Sequence, residues 1–352
     1  MLTRSKVVEL VRLAALAPSS HNTQPWKFKI EEATSDDDDG TANNNNAARA
    51  VIRVFADGTR RLRLTDRDGR ELLISVGASL ANLRLAAEAR SLVVDIEYTE
   101  VKDPLLLEEF EVAKLTLTSS SSSANGGGAD KAAELCRQFE RRVTWRKAFK
   151  GDAIPASVLD EIRHSVEREG AWLHDITTPE SVHKTVADAI FDANDIQWSD
   201  PKWRAELAAW IRPSSSGDGL HIGPDLFNWV TTWAVRAFQF IGNSQGKGDR
   251  DLALAAPALF ALGVDQNGPI QWLKAGQALQ YGLLVATKHD VFASYFNQPL
   301  QVKEFSGIRF NDLIRRERGT LLLVFRLGMV DNPAAARATR STRRPVEDII
   351  IM

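Results

Sequence analysis

The sequence is poor in residues that could support disulfide or metal chemistry. Among 352 residues there is 1 cysteine, Cys136, which cannot form an internal disulfide and cannot by itself hold zinc or an iron–sulfur cluster. The 6 histidines show no His-Glu-x-x-His or comparable metal-ligand spacing. We therefore predict no metal site, and we expect Cys136 to be a small helix residue in a protein of a reducing compartment.

Long apolar runs and a charge excess are also missing. No run approaches the roughly 20 apolar residues that a membrane-spanning helix needs, and Glu9 and Arg12 interrupt the N-terminal stretch that a secretory signal would keep apolar. A formal net charge of −2 gives no electrostatic reason to expect nucleic acid or an anionic membrane. These absences predict a cytoplasmic protein without a nucleic-acid or membrane partner.

Several nucleotide and hydrolase motifs are missing from the chain as well. There is no P-loop, no Gly-x-Ser-x-Gly elbow and no Gly-x-Gly-x-x-Gly between a strand and a helix. A nicotinamide cofactor would therefore not occupy a Rossmann site. With 44% hydrophobic and 26% charged residues, the chain nevertheless has the composition of an ordinary globular protein that can bury a large core.

Two low-complexity segments organise the chain. Residues 35–47 combine an aspartate run with an asparagine run, which predicts a disordered insertion in a hairpin. Residues 119–130 are rich in serine and glycine, which is typical of a flexible linker. The linker divides the chain into a first half, 1–118, and a second half, 131–352.

Hydrophobic periodicity predicts helices alternating with strands in both halves. The predicted helices include 6–16, 71–89, 131–141, 271–288 and 302–316. The predicted strands include 26–30, 51–55, 61–64, 92–98, 112–118, 171–176, 259–262, 291–296 and 320–327, followed by a polar tail from Asp331. The pattern Gly77-Ala-Ser-Leu80 also matches Gly276-Gln-Ala-Leu279, which indicates either an internal duplication or two ordinary apolar helices with a glycine each.

The loop between the first helix and the first strand carries short polar side chains. Pro18 and Pro25 stiffen it, and Trp26 anchors its end in the core. Its hydroxyl and amide groups could contact the edge of a flavin ring, or could only satisfy backbone groups where a helix ends. They belong to Ser19, Ser20, Asn22 and Gln24.

Two arginine-rich segments could bind a phosphate, because a guanidinium forms two parallel charge-assisted hydrogen bonds. The first is Arg142-Val-Thr-Trp-Arg146, which has Thr144 between its arginines. The second contains Arg343 and Arg344. Taken singly, the first could also be a solvated basic helix end and the second an exposed tail.

Residues 17–28, Ala-Pro-Ser-Ser-His-Asn-Thr-Gln-Pro-Trp-Lys-Phe, resemble the flavin-contacting segment of the nitroreductase-like superfamily. The resemblance implies that the paired serines and the asparagine contact the ring. Segment 142–146 resembles the superfamily's Arg-x-Ser/Thr-x-Arg motif, which holds the flavin phosphate and ribityl chain, and 343–348 resembles its terminal basic segment. His21 stands where the family often has a small residue, a difference that bears on access and hydrogen bonding near the ring.

The order of these segments resembles the Acg-type branch of that superfamily. In a typical member the arginine motif precedes Pro-Ser-Ser, whereas here it follows in the second half; residues 66–80 also resemble this branch. The resemblance implies an α+β, nitroreductase-like fold, internally duplicated, with mixed central β-sheets flanked by helices. Two fused halves would then imitate the family dimer within a monomer and share one FMN site.

The function implied by the resemblance is an FMN-dependent NAD(P)H oxidoreductase of nitroreductase type. Hydride would pass from NAD(P)H through FMN to a nitroaromatic, a quinone or a similar small acceptor, and no side chain would need to act as catalytic acid or base. The alternative is an FMN-binding protein that sequesters flavin, because residues 199–230 resemble a lid that could exclude nicotinamide. A site that has lost flavin altogether is a third hypothesis. The tryptophans between 198 and 233 could line such a lid or pack into the core.

Overall fold

A computed structural model describes most of the chain. The described residues are 2–32, 49–101, 105, 107–119, 126–222, 225–305, 308–316 and 318–351. The predicted insertion at 35–47 lies outside them, as does the linker segment 120–125.

The described helices are amphipathic at the surface and apolar on all sides at the centre. The second helix is the clearest central case, since it is buried along nearly its whole length. The α-helices are α1 Arg4–Ala14, α2 Arg70–Glu88, α3 Gly126–Cys136, α4 Ala156–Glu167, α5 Glu180–Ser199, α6 Pro201–Ala209, α7 Asn228–Ala237, α8 Phe240–Leu254, α9 Pro269–Lys288, α10 Gln298–Gln301, α11 Ile308–Leu313 and α12 Pro333–Arg337.

The described strands form two sheets. They are β1 Trp26–Glu32, β2 Arg49–Asp57, β3 Leu92–Tyr98, β4 Glu109–Ser119, β5 Trp172–Asp175, β6 Ala258–Val264, β7 Phe292–Tyr295, β8 Thr320–Gly328 and β9 Ile350–Ile351. The first sheet has the order β3-β4-β2-β1-β9 and the second the order β5-β6-β8-β7. The pairings are antiparallel apart from the parallel pair β1 and β9, so the first sheet is mixed.

The two halves repeat one topology. In the first half a helix, two strands, a central helix and two strands follow one another as α1, β1, β2, α2, β3 and β4. The second half repeats this with α4, β5, β6, α9, β7 and β8, and its sheet order matches strand for strand when β1 is paired with β5 and β3 with β7. The predicted α+β fold with internal duplication is therefore confirmed.

The central helices α2 and α9 pack face to face between the sheets and join the halves into one core. A Cβ atom on Gly77 would lie 2.1 Å from the Leu273 carbonyl oxygen, and a Cβ atom on Gly276 would lie 2.1 Å from the Ile74 carbonyl oxygen. The two contacts are reciprocal, as a pseudo-twofold axis between the helices requires. The matching glycines noticed in the sequence are thus the points of closest helix approach.

The second half contains a long insertion between β5 and β6. It comprises α5, α6, α7 and α8, with α5 packed on α8 and α6 on α7. Part of this insertion is the segment 199–230 that the sequence predicts to be a lid.

Three local predictions differ from the structure. Residues 61–64 form no strand, because the Leu64 and Thr65 amides donate to the Glu206 carboxylate of α6 at 2.9 Å instead of to a neighbouring strand. Helix α3 begins at Gly126, inside the predicted linker and five residues before its predicted start. The predicted helix at 302–316 is reduced to α11 in the described residues.

The C-terminal segment is more ordered than the polar tail that its sequence indicates. The Asn332 side chain caps α12 by accepting a hydrogen bond of 3.0 Å from the Ala335 amide. The chain then crosses to the first half, where the Phe28 amide donates to the Ile349 carbonyl at 2.8 Å and β9 joins the edge of β1. The segment that carries Arg343 and Arg344 is therefore fixed against the first half.

Candidate functional site

The Pro-Ser-Ser loop, residues 15–25, connects α1 to β1 in a strained backbone conformation. His21, Asn22 and Gln24 have φ angles of 49°, 54° and 49°. Non-glycine residues seldom adopt this left-handed region, and clusters of such residues persist where the surrounding structure holds them for a purpose. The loop is thus a shaped element and not merely a stop after the helix.

The serines of this loop take part in its hydrogen bonding. The Ser19 hydroxyl oxygen accepts a hydrogen bond of 2.9 Å from the Gln24 amide. The Ser20 hydroxyl donates to the Glu71 carboxylate at 2.5 Å. The same carboxylate accepts a hydrogen bond of 2.6 Å from the Gln301 side chain of the second half, so Glu71 ties the loop to both halves. Sequence reasoning had missed Glu71, which lies buried in the first turn of α2.

Asn22 and Gln24 are held by the C-terminal segment and by the insertion. The Asn22 side chain donates to the Thr342 carbonyl at 3.2 Å. Gln24, fully buried, donates to the Gly217 carbonyl at 2.8 Å and accepts from the Arg344 amide at 2.9 Å. These amides position the loop.

The Arg343 side chain forms hydrogen bonds with the C-terminal end of helix α1. Its guanidinium donates to the carbonyls of Ala15, Leu16 and Ala17 at 2.9, 3.2 and 3.0 Å, and also to Asn22 and to carbonyls of its own segment. These carbonyls are the unpaired acceptors that every helix leaves at its C-terminus. This geometry favours a structural role for Arg343 over the phosphate contact predicted from the sequence.

Arg344 forms a hydrogen bond within the C-terminal segment. Its guanidinium donates to the Asp348 carbonyl at 2.8 Å. Burial lowers its pKa, and the nearby cation Arg60 lowers it further, while Asp57 raises it. The Arg344 side chain therefore lies near Arg60 and Asp57.

The second-half segment Arg142–Arg146 runs alongside β7. The Trp145 amide donates to the Ala293 carbonyl at 2.9 Å, and Thr144 forms a parallel bridge to Ala293. In an extended segment, alternate side chains share a face, which places Arg142, Thr144 and Arg146 together. Tyr295, two residues along β7 from Ala293, contributes to the electrostatic environment of both arginines.

The arginines of this segment lack acidic partners among the described residues. The Arg142 side chain is only 5% exposed, and its Nε has no hydrogen-bond partner there. Burial lowers the pKa of Arg142, and the neighbouring cations Arg340 and Arg146 lower it further. The buried Tyr295 hydroxyl is likewise without a partner in the described structure. An unpaired buried cation such as Arg142 is costly, so Arg142 and the neighbouring cations are suited to an anion.

The loop and the arginine cluster meet at His21. Burial, and next the charge of Arg146, lower the pKa of His21 to about 4, so the imidazole is neutral near pH 7. Its Nδ1 is buried without a partner among the described residues. The site is therefore composite. The first half contributes the hydroxyl and amide groups of the Pro-Ser-Ser loop, and the second half contributes the arginines of segment 142–146.

The structure thus brings together most of the residues singled out in the sequence. Pro18, Ser19, Ser20, Asn22 and Gln24 share one loop, and Arg142, Thr144 and Arg146 adjoin it at His21. Arg343 and Arg344 support the loop from behind. Arg340 adds a third cation beside Arg142, and Tyr295 adds a neutral hydroxyl; the sequence analysis identified neither as a site residue, although Arg340 lies three residues before Arg343.

The insertion touches the same loop. The Gly219 amide donates to the Asn22 carbonyl at 3.2 Å, and the His221 imidazole contacts the Thr342 hydroxyl at 2.9 Å. The tryptophans of this region divide into two groups. Trp198 and Trp203 are buried in a core cluster, whereas Trp229 and Trp233 on α7 are 72% and 57% exposed.

In the described part of the chain, no three histidine, cysteine, aspartate or glutamate side chains lie together in a way that could hold a metal ion. None of the helices in that part is long and apolar enough to cross a bilayer.

Comparisons with known proteins converge on one family, although no family model matches the chain. A protein of Mycobacterium tuberculosis that is provisionally named an NAD(P)H nitroreductase is 25% identical over 295 residues, which is 83% of this chain and 76% of the relative. The Acg protein of the same organism, also provisionally named an NAD(P)H nitroreductase, is 32% identical over 221 residues, or 62% of this chain and 58% of Acg. A solved structure described as a provisional nitroreductase of Anabaena variabilis shares the fold, with a TM-score of 0.53, 11% identity and coverage of 93% of this chain and 88% of that one.

The chain is thus similar in sequence to these provisionally named nitroreductases, and it has the nitroreductase-like fold. Its relatives include the Acg type, as the sequence resemblance predicted. Another M. tuberculosis relative, which is uncharacterized, is 23% identical over 353 residues and covers 97% of this chain and 91% of its own length. The likeness to such relatives therefore extends through both halves of this nitroreductase-like chain.

Proposed function

We propose that this nitroreductase-like protein is an FMN-dependent NAD(P)H oxidoreductase with one composite flavin site. The observation that carries the proposal is the partnerless cation cluster of Arg142 and Arg146 beside the strained Pro-Ser-Ser loop. A phosphate dianion would neutralise these cations and accept their free hydrogen-bond donors. The names of the M. tuberculosis relatives support the NAD(P)H oxidoreductase class.

The residues present fit FMN at both of its ends. Arg142, Thr144 and Arg146 would hold the phosphate and ribityl chain, and Tyr295 offers an unused buried hydroxyl at the same place. Ser19, Ser20 and Asn22 would face the ring, with Pro18 and Gln24 fixing the loop that presents them. The neutral His21 imidazole lies between these groups and adds a donor without adding charge.

Bound FMN would accept a hydride from NAD(P)H and return electrons to a small acceptor. The protein's own part is to bind, to orient and to exclude water. Glu71 holds the Ser20 hydroxyl as a donor at 2.5 Å and so fixes its rotamer. The acceptor would be a nitroaromatic, a quinone or a similar small molecule, and the fused halves would allow a monomer to act alone.

A second candidate function is flavin sequestration without efficient turnover. The observation that favours it is the insertion, whose Gly217 and Gly219 form hydrogen bonds directly with the loop. An insertion held in this way could keep nicotinamide away from the ring.

Anaerobic mixing of the FMN-loaded protein with NADH or NADPH separates the two functions. An oxidoreductase bleaches the flavin absorbance at a rate that matches steady-state turnover with a quinone or a nitroaromatic. A yellow protein that no nicotinamide bleaches would support sequestration and contradict the oxidoreductase. A colourless protein that cannot be reconstituted with FMN would contradict both.

A further inference from the structure

A second cleft lies at the place that internal symmetry relates to the proposed flavin site. The first site combines the loop after α1, the first turns of α2 and Tyr295 from β7. The topological counterparts of these elements are the loop after α4, the first turns of α9 and a tyrosine from β3. A cleft of about 530 Å³ is lined by residues of these three counterparts, including Tyr98 of β3.

The cleft is open because its loop is short. The connection from α1 to β1 spans residues 15–25, whereas the connection from α4 to β5 spans only residues 168–171. The space occupied by the Pro-Ser-Ser loop at the first site therefore stays free at the second. A cleft of this volume is within the range of small-molecule sites.

The floor of the cleft is a polar network built from both halves. The Gln277 side chain is 1% exposed and donates to the Tyr98 hydroxyl at 2.8 Å. Arg84 of the first half donates to Gln277 at 3.1 Å and to the Glu169 carboxylate at 2.6 Å. Each of these polar groups is already paired, so the floor is rigid and Glu169 is neutralised by Arg84.

The rim carries positive charge. Arg168 and Lys274 line the cleft and have no carboxylate within ion-pair distance among the described residues, and the Lys274 ammonium lies 5.4 Å from the centre of the Tyr98 ring. The remaining acidic side chain of the lining, Asp265, faces Arg316 at 3.8 Å. Two cations beside an aromatic ring are suited to an anion that also carries a ring.

We infer that this symmetry-related cleft binds a small, ring-bearing anion of mononucleotide size, separately from the flavin site. Arg168 and Lys274 would contact the anionic group, and Tyr98 would pack against the ring. The inference rests on the fold and on the lining of the cleft, and it does not require flavin at the first site.

Titration calorimetry of the full chain with adenosine monophosphate, adenosine and inorganic phosphate tests this inference. We expect saturable binding of adenosine monophosphate that is at least about tenfold tighter than the binding of adenosine or of phosphate, because the cleft would contact both the anionic group and the ring. Lys274→Ala and Arg168→Ala should each weaken it about tenfold, the loss of one charged contact. Both side chains are exposed, so folding should be unaffected.

Two matched variants make the result decisive. Lys184→Ala removes an exposed lysine on α5 that does not line the cleft and should bind like the parent chain. Arg142→Met disrupts only the first site and should leave this binding intact. The inference is wrong if adenosine monophosphate does not saturate the protein, if the Lys274 and Arg168 variants bind it normally, or if Arg142→Met abolishes binding.

Discussion

Replacement of Arg142 by methionine should weaken FMN binding without weakening the fold. The Arg142 guanidinium is 5% exposed, has an unpartnered Nε and faces the cations Arg146 and Arg340. A hydrogen bond to a charged partner is worth about 1.5–3 kcal/mol, so losing one contact to a phosphate should raise the Kd of FMN about 10- to 150-fold. Methionine keeps much of the buried volume.

The same substitution should not destabilise the flavin-free protein. Removing the buried Arg142 cation, which Arg146 and Arg340 repel, relieves an unfavourable charge interaction, so the Tm of the apoprotein should stay constant or rise. At a given FMN concentration, flavin should then stabilise the variant less than it stabilises the parent, since ligand stabilisation grows with the ratio of free ligand to Kd.

Fluorescence titration with FMN and thermal unfolding with and without FMN measure both effects. Arg141→Met is the matched control, because Arg141 is 41% exposed and pairs with Asp290 outside the cluster. The reasoning is refuted if the Arg142 variant binds FMN normally, or if its apoprotein loses several degrees of Tm while the control does not.

Three further substitutions test how the site is supported. Gly77→Ala should lower the free energy of unfolding by about 1–3 kcal/mol, because its Cβ would lie 2.1 Å from the Leu273 carbonyl oxygen. The control is Gly127→Ala, whose Cβ meets nothing within 4 Å and which should not lower the free energy of unfolding. Chemical denaturation compares the two variants. Arg343→Leu should cost about 2–4 kcal/mol, since several carbonyls at the end of α1 lose their donor, and an unchanged denaturation midpoint would contradict this role. His21 has a folded pKa of about 4 against 6.5 when unperturbed, so the parent should lose stability as the pH falls from 6.5 to 4. His21→Asn should remove up to roughly 3 kcal/mol of that loss, and identical pH profiles of Tm would show that the imidazole is not held neutral.

Local patterns predicted the central parts of this fold and site well. The buried runs of β8 and α9, and the loop from Pro18 to Trp26, follow from apolar periodicity and from proline positions that local sequence determines. The repeated glycine pattern in α2 and α9 left a duplication and two ordinary helices equally open, and in the structure these glycines lie where the two helices approach each other.

The missing parts depend on contacts between distant segments. The pattern of residues 61–64 predicts a strand. In the structure, the Leu64 and Thr65 amides instead donate to the carboxylate of Glu206, more than 140 positions away. The sequence does not show that the Arg343 guanidinium donates to the carbonyls at the end of α1, more than 300 positions earlier. Tyr295 joins Arg142 only because segment 142–146 runs alongside β7, which follows it by more than 140 positions. A sequence read on its own does not report such partners.

Comparison of FMN with riboflavin tests the central claim most directly. The apoprotein, titrated at a concentration well above the Kd, should bind one tight equivalent of FMN with a shifted visible spectrum. Riboflavin, which lacks the phosphate, should bind at least about tenfold more weakly, and Arg142→Met should remove most of that difference. Equal affinity for the two flavins, or no flavin binding at all, would contradict the assignment of Arg142 and Arg146 as the phosphate site.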